Sequence, residues 1–240
     1  MQQPAAAGAL TPLLRVRHLG FRWPNGRKAL EHCNLEISRP GLWMLVGGNG
    51  SGKSTLLRLL AGLLQPSSGS LTCSCTPALV FQNPDHQLLL PSCSSDLQLG
   101  LPPGLDARER RLAGIQALAL VGLAGLEDRP IHSLSGGQKQ RLAIAGAVAS
   151  GASLLLLDEP TALLDPASQE EILALMAQLT RRREQPLTAL WVTHRLEELE
   201  RCDGAALMHN GKAGSWQSGH ALRQQLERQL GALPGGGAKR

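Results

Sequence analysis

The chain has 240 residues, 42% of them hydrophobic and 18% charged, with a net charge of +5 at pH 7. That length suits one α/β domain with an ample core, and the apolar share excludes intrinsic disorder for most of the chain. Two Phe, four Trp and no Tyr leave little for a nucleic-acid stacking platform, and five cysteines without a C-x-x-C pair read as free thiols rather than a disulfide scaffold.

Met1–Pro12 reads as a tail that lacks the basic head and apolar middle of a secretory signal. Leu42–Val46 is an apolar run of strand length, and Lys53–Leu64 follows with helical spacing. Ser70–Ala78 is short and carries Cys73 and Cys75, whose spacing with Cys93 does not fit a zinc knuckle. Leu79–Phe81 reads as a strand. Residues 83–133 then break the α/β rhythm, with a helical pattern around Arg108–Val121, and start an inserted helical subdomain. Gln138–Ala149 reads as a helix, Leu154–Asp158 as a strand covered on both sides. Pro166–Arg183 reads as a helix with Pro166 in its first turn and Ile172, Leu175, Met176 and Leu179 on one face. Ala189–Thr193 and Ala205–His209 read as strands, and Asn210-Gly211 is a hairpin turn signal. Residues 231–240 read as a second tail. The densest basic clusters, Arg108, Arg110 and Arg111, and Arg181–Arg183, fall on helices and read as solvated faces. No apolar run approaches the ~20 residues of a membrane-spanning helix.

Two local patterns carry chemistry. Gly47-Gly48-Asn49-Gly50-Ser51-Gly52-Lys53-Ser54 fits G-x-x-x-x-G-K-[ST] between a strand and a helix, and Thr55 continues it into the helix. Glycines let successive N–H groups curl around a phosphate, and the helix N-terminus adds positive potential. Lys53 supplies a full charge to the β- and γ-phosphates, and the Ser54 hydroxyl is a Mg²⁺ ligand. Leu154-Leu155-Leu156-Leu157-Asp158-Glu159 puts two carboxylates at a buried strand's C-terminal end, where open α/β sheets bind ligands. Asp158 there can hold Mg²⁺ through water, and Glu159 can polarise an attacking water.

Leu134-Ser135-Gly136-Gly137-Gln138, lying between those two motifs, decides a resemblance. With them it resembles the nucleotide-binding subunit of an ATP-binding cassette (ABC) transporter, over about residues 13–225. The implied fold is an α/β P-loop NTPase core with a mostly parallel sheet, a small antiparallel β-subdomain and an inserted helical subdomain. Residues 13–82 and 150–225 would form the core and 83–149 the helical part. Ser135 and the two glycines open a helix, which makes a second anion-binding terminus. In the family two domains meet head to tail, so Ser135, Gly136, Gly137 and Gln138 would complete an ATP site on the other subunit.

Further roles follow from the resemblance. Trp23 matches the aromatic that stacks on adenine. Gln82 matches the glutamine that reaches Mg²⁺ and the attacking water. Asp165, after Leu164, lies in the loop that crosses the dimer interface, and His194 matches the switch histidine on the γ-phosphate. Phe81-Gln82-Asn83-Pro84-Asp85-His86-Gln87, Thr161-Ala162-Leu163-Leu164-Asp165-Pro166 and Phe21-Arg22-Trp23-Pro24 are similar to energy-coupling factor ATPases, which drive vitamin and transition-metal (cobalt, nickel) uptake. The resemblance implies ATP hydrolysis with Mg²⁺, a second ABC ATPase subunit as homo- or heterodimer partner, integral membrane partners, no nucleic acid, and a peripheral place on the cytoplasmic face of the membrane. Another transporter branch, or a soluble ABC ATPase acting on nucleic acid or the ribosome, are the alternatives. The chain has one cassette and no heptad insertion, unlike the soluble kinds. Departures from the family are Gly48 in place of its usual Pro, a short Ser70–Ala78 stretch implying a trimmed β-subdomain, and an early end implying a missing C-terminal extension.

Overall fold

The computed structural model describes residues 12–231. Strands β1 (Leu14–Arg22) and β2 (Lys28–Ile37) pair as an antiparallel hairpin, and β4 (Ser68–Cys73) joins β1's other edge, giving the order β2-β1-β4. The main sheet has the order β5-β6-β7-β3-β8-β9, built from β3 (Gly41–Val46), β5 (Pro77–Val80), β6 (Leu154–Asp158), β7 (Thr188–Thr193), β8 (Gly204–His209) and β9 (Lys212–Ala213). Its pairings are parallel except β8–β9, which closes on Asn210 and Gly211, both at positive φ as the sequence predicts.

The apolar runs are continuous because both faces of the sheet are covered, and the pleat deals alternate residues to two cores. Leu42, Met44, Val46, Leu155, Leu157, Ala189 and Trp191 point to one; Trp43, Leu45, Leu154, Leu156, Leu190 and Val192 point to the other. The first core is filled from α4 (Gly136–Ala149) and α5 (Pro166–Thr180), with α2 (Cys93–Gly100) and α3 (Ala107–Leu120) behind α4 and Leu222 and Leu226 of α6 (Gly219–Gly231) at its margin. The second is filled by α1 (Lys53–Leu60) and the inward side chains of β1 and β2. Asp106 and Glu109 make a capping box for α3, each side chain accepting from the other's N–H.

Several boundaries differ from the sequence expectation. Helix α1 stops at Leu60 rather than Leu64, with Gly62 at φ 73° turning the chain. Helix α5 stops at Thr180, whose hydroxyl donates to the Met176 carbonyl, so Arg181–Arg183 lie beyond the helix and exposed rather than on it. Strand β5 covers Pro77–Val80 and leaves Phe81 outside. The tails expected at 1–12 and 231–240 lie outside the described residues except for Pro12 and Gly231. Among the described residues no helix is long and apolar enough to cross a membrane. All five cysteines are unpaired, and burial pushes the Cys202 thiol up to about 11.

Candidate functional site

The loop from Gly47 to Gly52 carries the chain from β3 to α1. It is forced tight by its neighbours. A Cβ on Gly47 would sit 2.2 Å from the Met208 carbonyl oxygen, and one on Gly52 would sit 2.5 Å from that of Ala29. Gly50 and Gly52 hold φ of 78° and 105°. Gly48 faces open space, so this position tolerates a glycine for Pro exchange sterically. We expect Gly52→Ala to cost about 2 kcal/mol or more, since it adds backbone strain to a clash. A fall in Tm in thermal unfolding checks this; an unchanged Tm would contradict the loop geometry.

No side chain caps α1, so its first N–H groups remain free for a ligand. The cavity in front of them measures about 220 Å³ and is lined by Arg27, Ala29, Asn49 to Thr55 and Glu159. Lys53 is buried, and its Nζ donates to the Gly47 carbonyl at 2.6 Å and the Gly48 carbonyl at 3.1 Å. Burial lowers its pKa, opposed by the charges of Glu159 and Asp158. The Ser51 hydroxyl is buried with no hydrogen-bond partner. Unpaired buried donors of this kind are costly in an empty cavity and are satisfied by an anion placed there.

Strand register sets the acidic side of the site. Asp158 pairs with Val192, so the ends of β6 and β7 are level. The Ser54 hydroxyl donates to Asp158 Oδ1 at 2.9 Å. Burial raises the Asp158 pKa against the lowering effect of that hydrogen bond. Glu159 turns off the strand at φ 49°, a left-handed conformation for a non-glycine residue, and its N–H donates to the Val192 carbonyl. This turn brings Glu159 Oε2 to 3.0 Å from His194 Nδ1. Strand β5 pairs Val80 with Leu157, which places Gln82 at the same end of the sheet, exposed. Phosphate loop, carboxylate pair, histidine and glutamine therefore converge from four neighbouring strand ends.

The pattern of the family described as ABC transporter matches residues 30–162, more than half of the chain. The chain belongs to the ABC transporter family. Like other ABC ATPases it binds ATP. It is 46% identical over 185 residues to ABC transporter I family member 10 of Arabidopsis thaliana, covering 76% of this chain and 68% of that protein. It is 38% identical over 218 residues to the energy-coupling factor transporter ATP-binding protein EcfA1 of Thermotoga maritima, covering 85% and 82%. The structure of cbiO1 from Clostridium perfringens, part of the ABC transporter complex cbiONQ, superposes with a TM-score of 0.81 at 32% identity, over 93% of this chain and 96% of that one.

The remaining residues singled out in the sequence lie outside that cavity lining. Ser135 caps α4: its hydroxyl accepts from the Gln138 N–H, and Gln138 Oε1 accepts from the Ser135 N–H. Gly137 packs on the start of α5, where a Cβ on it would lie 2.6 Å from Ser168 Oγ, and Gly136 faces Leu164 just before that helix. None of these residues lines the phosphate cavity of its own chain. Asp165 is exposed and caps α5, accepting from the Ser168 N–H and hydroxyl, which hold its carboxyl below the ordinary range. Trp23 is half-buried edge-on to Phe21, 5.0 Å between ring centroids, and its backbone N–H donates to the Arg27 carbonyl. Arg27 lines the cavity, and Trp23 is tied to it across the β1–β2 turn by that backbone hydrogen bond.

Sequence reasoning missed Arg27 and Glu198. Arg27 has no local pattern to mark it. Glu198 lies in the short 3₁₀ helix Leu196–Arg201 and is 1% exposed, an unusual place for a carboxylate. Its i,i+3 spacing to Arg195 is the one local signal of a pair.

Proposed function

We propose that the chain is the ATP-hydrolysing subunit of a membrane importer of the energy-coupling factor type, moving a vitamin or a transition-metal ion. The observation that supports the reading is the level register of β3, β6 and β7, whose C-terminal ends carry the Lys53 loop, the Ser54–Asp158 hydrogen bond and the Glu159–His194 pair at one end of the sheet. The identity to an energy-coupling factor ATP-binding protein supports the branch.

In this reading residues 13–225 act as one ABC ATPase domain, with 83–149 as its helical subdomain. The backbone from Gly47 to Thr55 and the Lys53 ammonium bind the phosphates of ATP, and Trp23 stacks on adenine. Ser54, Asp158 and Gln82 offer hydroxyl, carboxylate and amide oxygens, the hard donors Mg²⁺ prefers. They fit the ion: the Ser54 hydroxyl and the half-buried Asp158 carboxylate already lie 2.9 Å apart. Bound there, Mg²⁺ supplies charge neutralisation on the phosphate oxygens. Glu159 orients and polarises the attacking water, and His194 contacts the γ-phosphate while hydrogen-bonded to Glu159. Ser135, Gly136, Gly137 and Gln138 of a second ABC ATPase subunit cover the nucleotide, and Asp165 lies in the interface that forms. Integral membrane subunits bind the dimer from the membrane, holding it peripherally at the cytoplasmic face. Fractionation of native membranes tests this: the chain co-purifies with membrane vesicles. Co-purification with ribosomes or DNA instead would overturn the transport reading.

A further inference from the structure

We propose that Glu198 is a positioning residue for hydrolysis, its buried carboxylate fixing Glu159 and His194 relative to one another; this rests on the roles given to those two residues above. Glu198 Oε1 accepts from the Thr161 hydroxyl at 2.5 Å, and Oε2 accepts from Trp191 Nε1 at 3.1 Å. Arg195 Nε stands 3.6 Å from Oε1. Thr161 lies two residues after Glu159 in the chain. Trp191 is fully buried in β7, two residues before Thr193, which leads directly into His194. One carboxylate therefore ties down the loop that leaves Glu159 and the strand that delivers His194.

Two physical arguments favour positioning over mere stability. A buried acidic side chain is a poor source of stability, because its desolvation offsets what its partners return. Glu159 also sits in a left-handed conformation, which persists only where the surroundings over-determine it. The hydrogen bond from its N–H to Val192 supplies one restraint, and Gln169 Nε2, donating to the carbonyls of Thr161 and Leu164, supplies another. The Glu198 bond to Thr161 joins that loop to the histidine side of the site.

The test compares single-turnover rates and ATP affinity in the dimerising full chain. Glu198→Gln keeps the volume but presents an NH₂ group to one of two donors. We expect its hydrolysis rate to fall on the order of 10²-fold, the scale of a small misplacement of a reacting group, with ATP affinity within about twofold of the parent's. Thr161→Val, which removes only the hydroxyl bond, should fall in the same direction, and Thr161→Ser should restore the rate. In a Glu159→Gln background Glu198→Gln should add little further loss, because both act through one group. A parent-like rate for Glu198→Gln and Thr161→Val beside an impaired Glu159→Gln overturns the positioning role alone. Fully additive losses overturn it as well. A parent-like rate for Glu159→Gln by itself overturns the underlying reading of the site.

Discussion

Glu159→Gln is expected to hydrolyse ATP about 10²–10³-fold more slowly than the parent, the scale for loss of one positioned electrostatic group, and to bind ATP with parental affinity. The amide keeps the shape of the side chain and a hydrogen bond to His194, but it cannot carry the negative charge that polarises the water. Glu159 contributes one wall of the cavity, while Lys53 and the loop Asn49–Gly52 line the rest, where the proposed reading puts the phosphates. Removing the charge therefore acts on the chemical step rather than on the bound state. Steady-state phosphate release and an equilibrium titration with ATP, made on the same preparation, separate the two. A variant that matched the parent rate would remove Glu159 from the chemistry.

Lys53→Ala has the opposite signature. Its ammonium is buried and satisfied by the carbonyls of Gly47 and Gly48, which holds the loop's curl as well as offering charge to a ligand. Losing one partner of a buried, charged hydrogen bond costs about 2 kcal/mol at the low end, or roughly 30-fold in affinity. The variant also leaves Glu159 at the cavity without the Lys53 charge that faces it, and that disfavours an anionic ligand. Isothermal titration with ATP reads the effect. Unchanged affinity would contradict the assignment of the cradle.

The parts of the fold legible in the sequence are those fixed by local or strictly periodic signals. The phosphate loop is contiguous, and the β3, β6 and β7 runs are apolar throughout because two cores share them. The hairpin of β1 and β2 gives no such run. Its register shifts near His18 and His32, which hold positive φ, and its outer face is charged, so apolar and polar positions do not alternate cleanly. Helix α6 is mostly polar; among the described residues Leu222 and Leu226 pack it on the core, and His220 and Arg223 reach Glu200. At the site, residues carried by a motif were legible, and those defined by distant contacts were not. Glu198 depends on Thr161, 37 positions away, and on Trp191, 7 away in a different element. Arg27 reaches the cavity only because the β1–β2 turn folds over it.

The signature residues decide the larger question. Gly137 lies against α5, and neither it nor Ser135 lines the cavity of its own chain, so the proposed closed site takes those residues from a second subunit. The direct measurement is the mass of the Glu159→Gln protein by sedimentation velocity, with and without Mg²⁺–ATP, beside a Ser135→Arg version of the same variant. The account predicts an ATP-dependent dimer that the arginine abolishes while ATP still binds each monomer. A strictly monomeric protein under saturating ATP, or a dimer indifferent to the arginine, would contradict it.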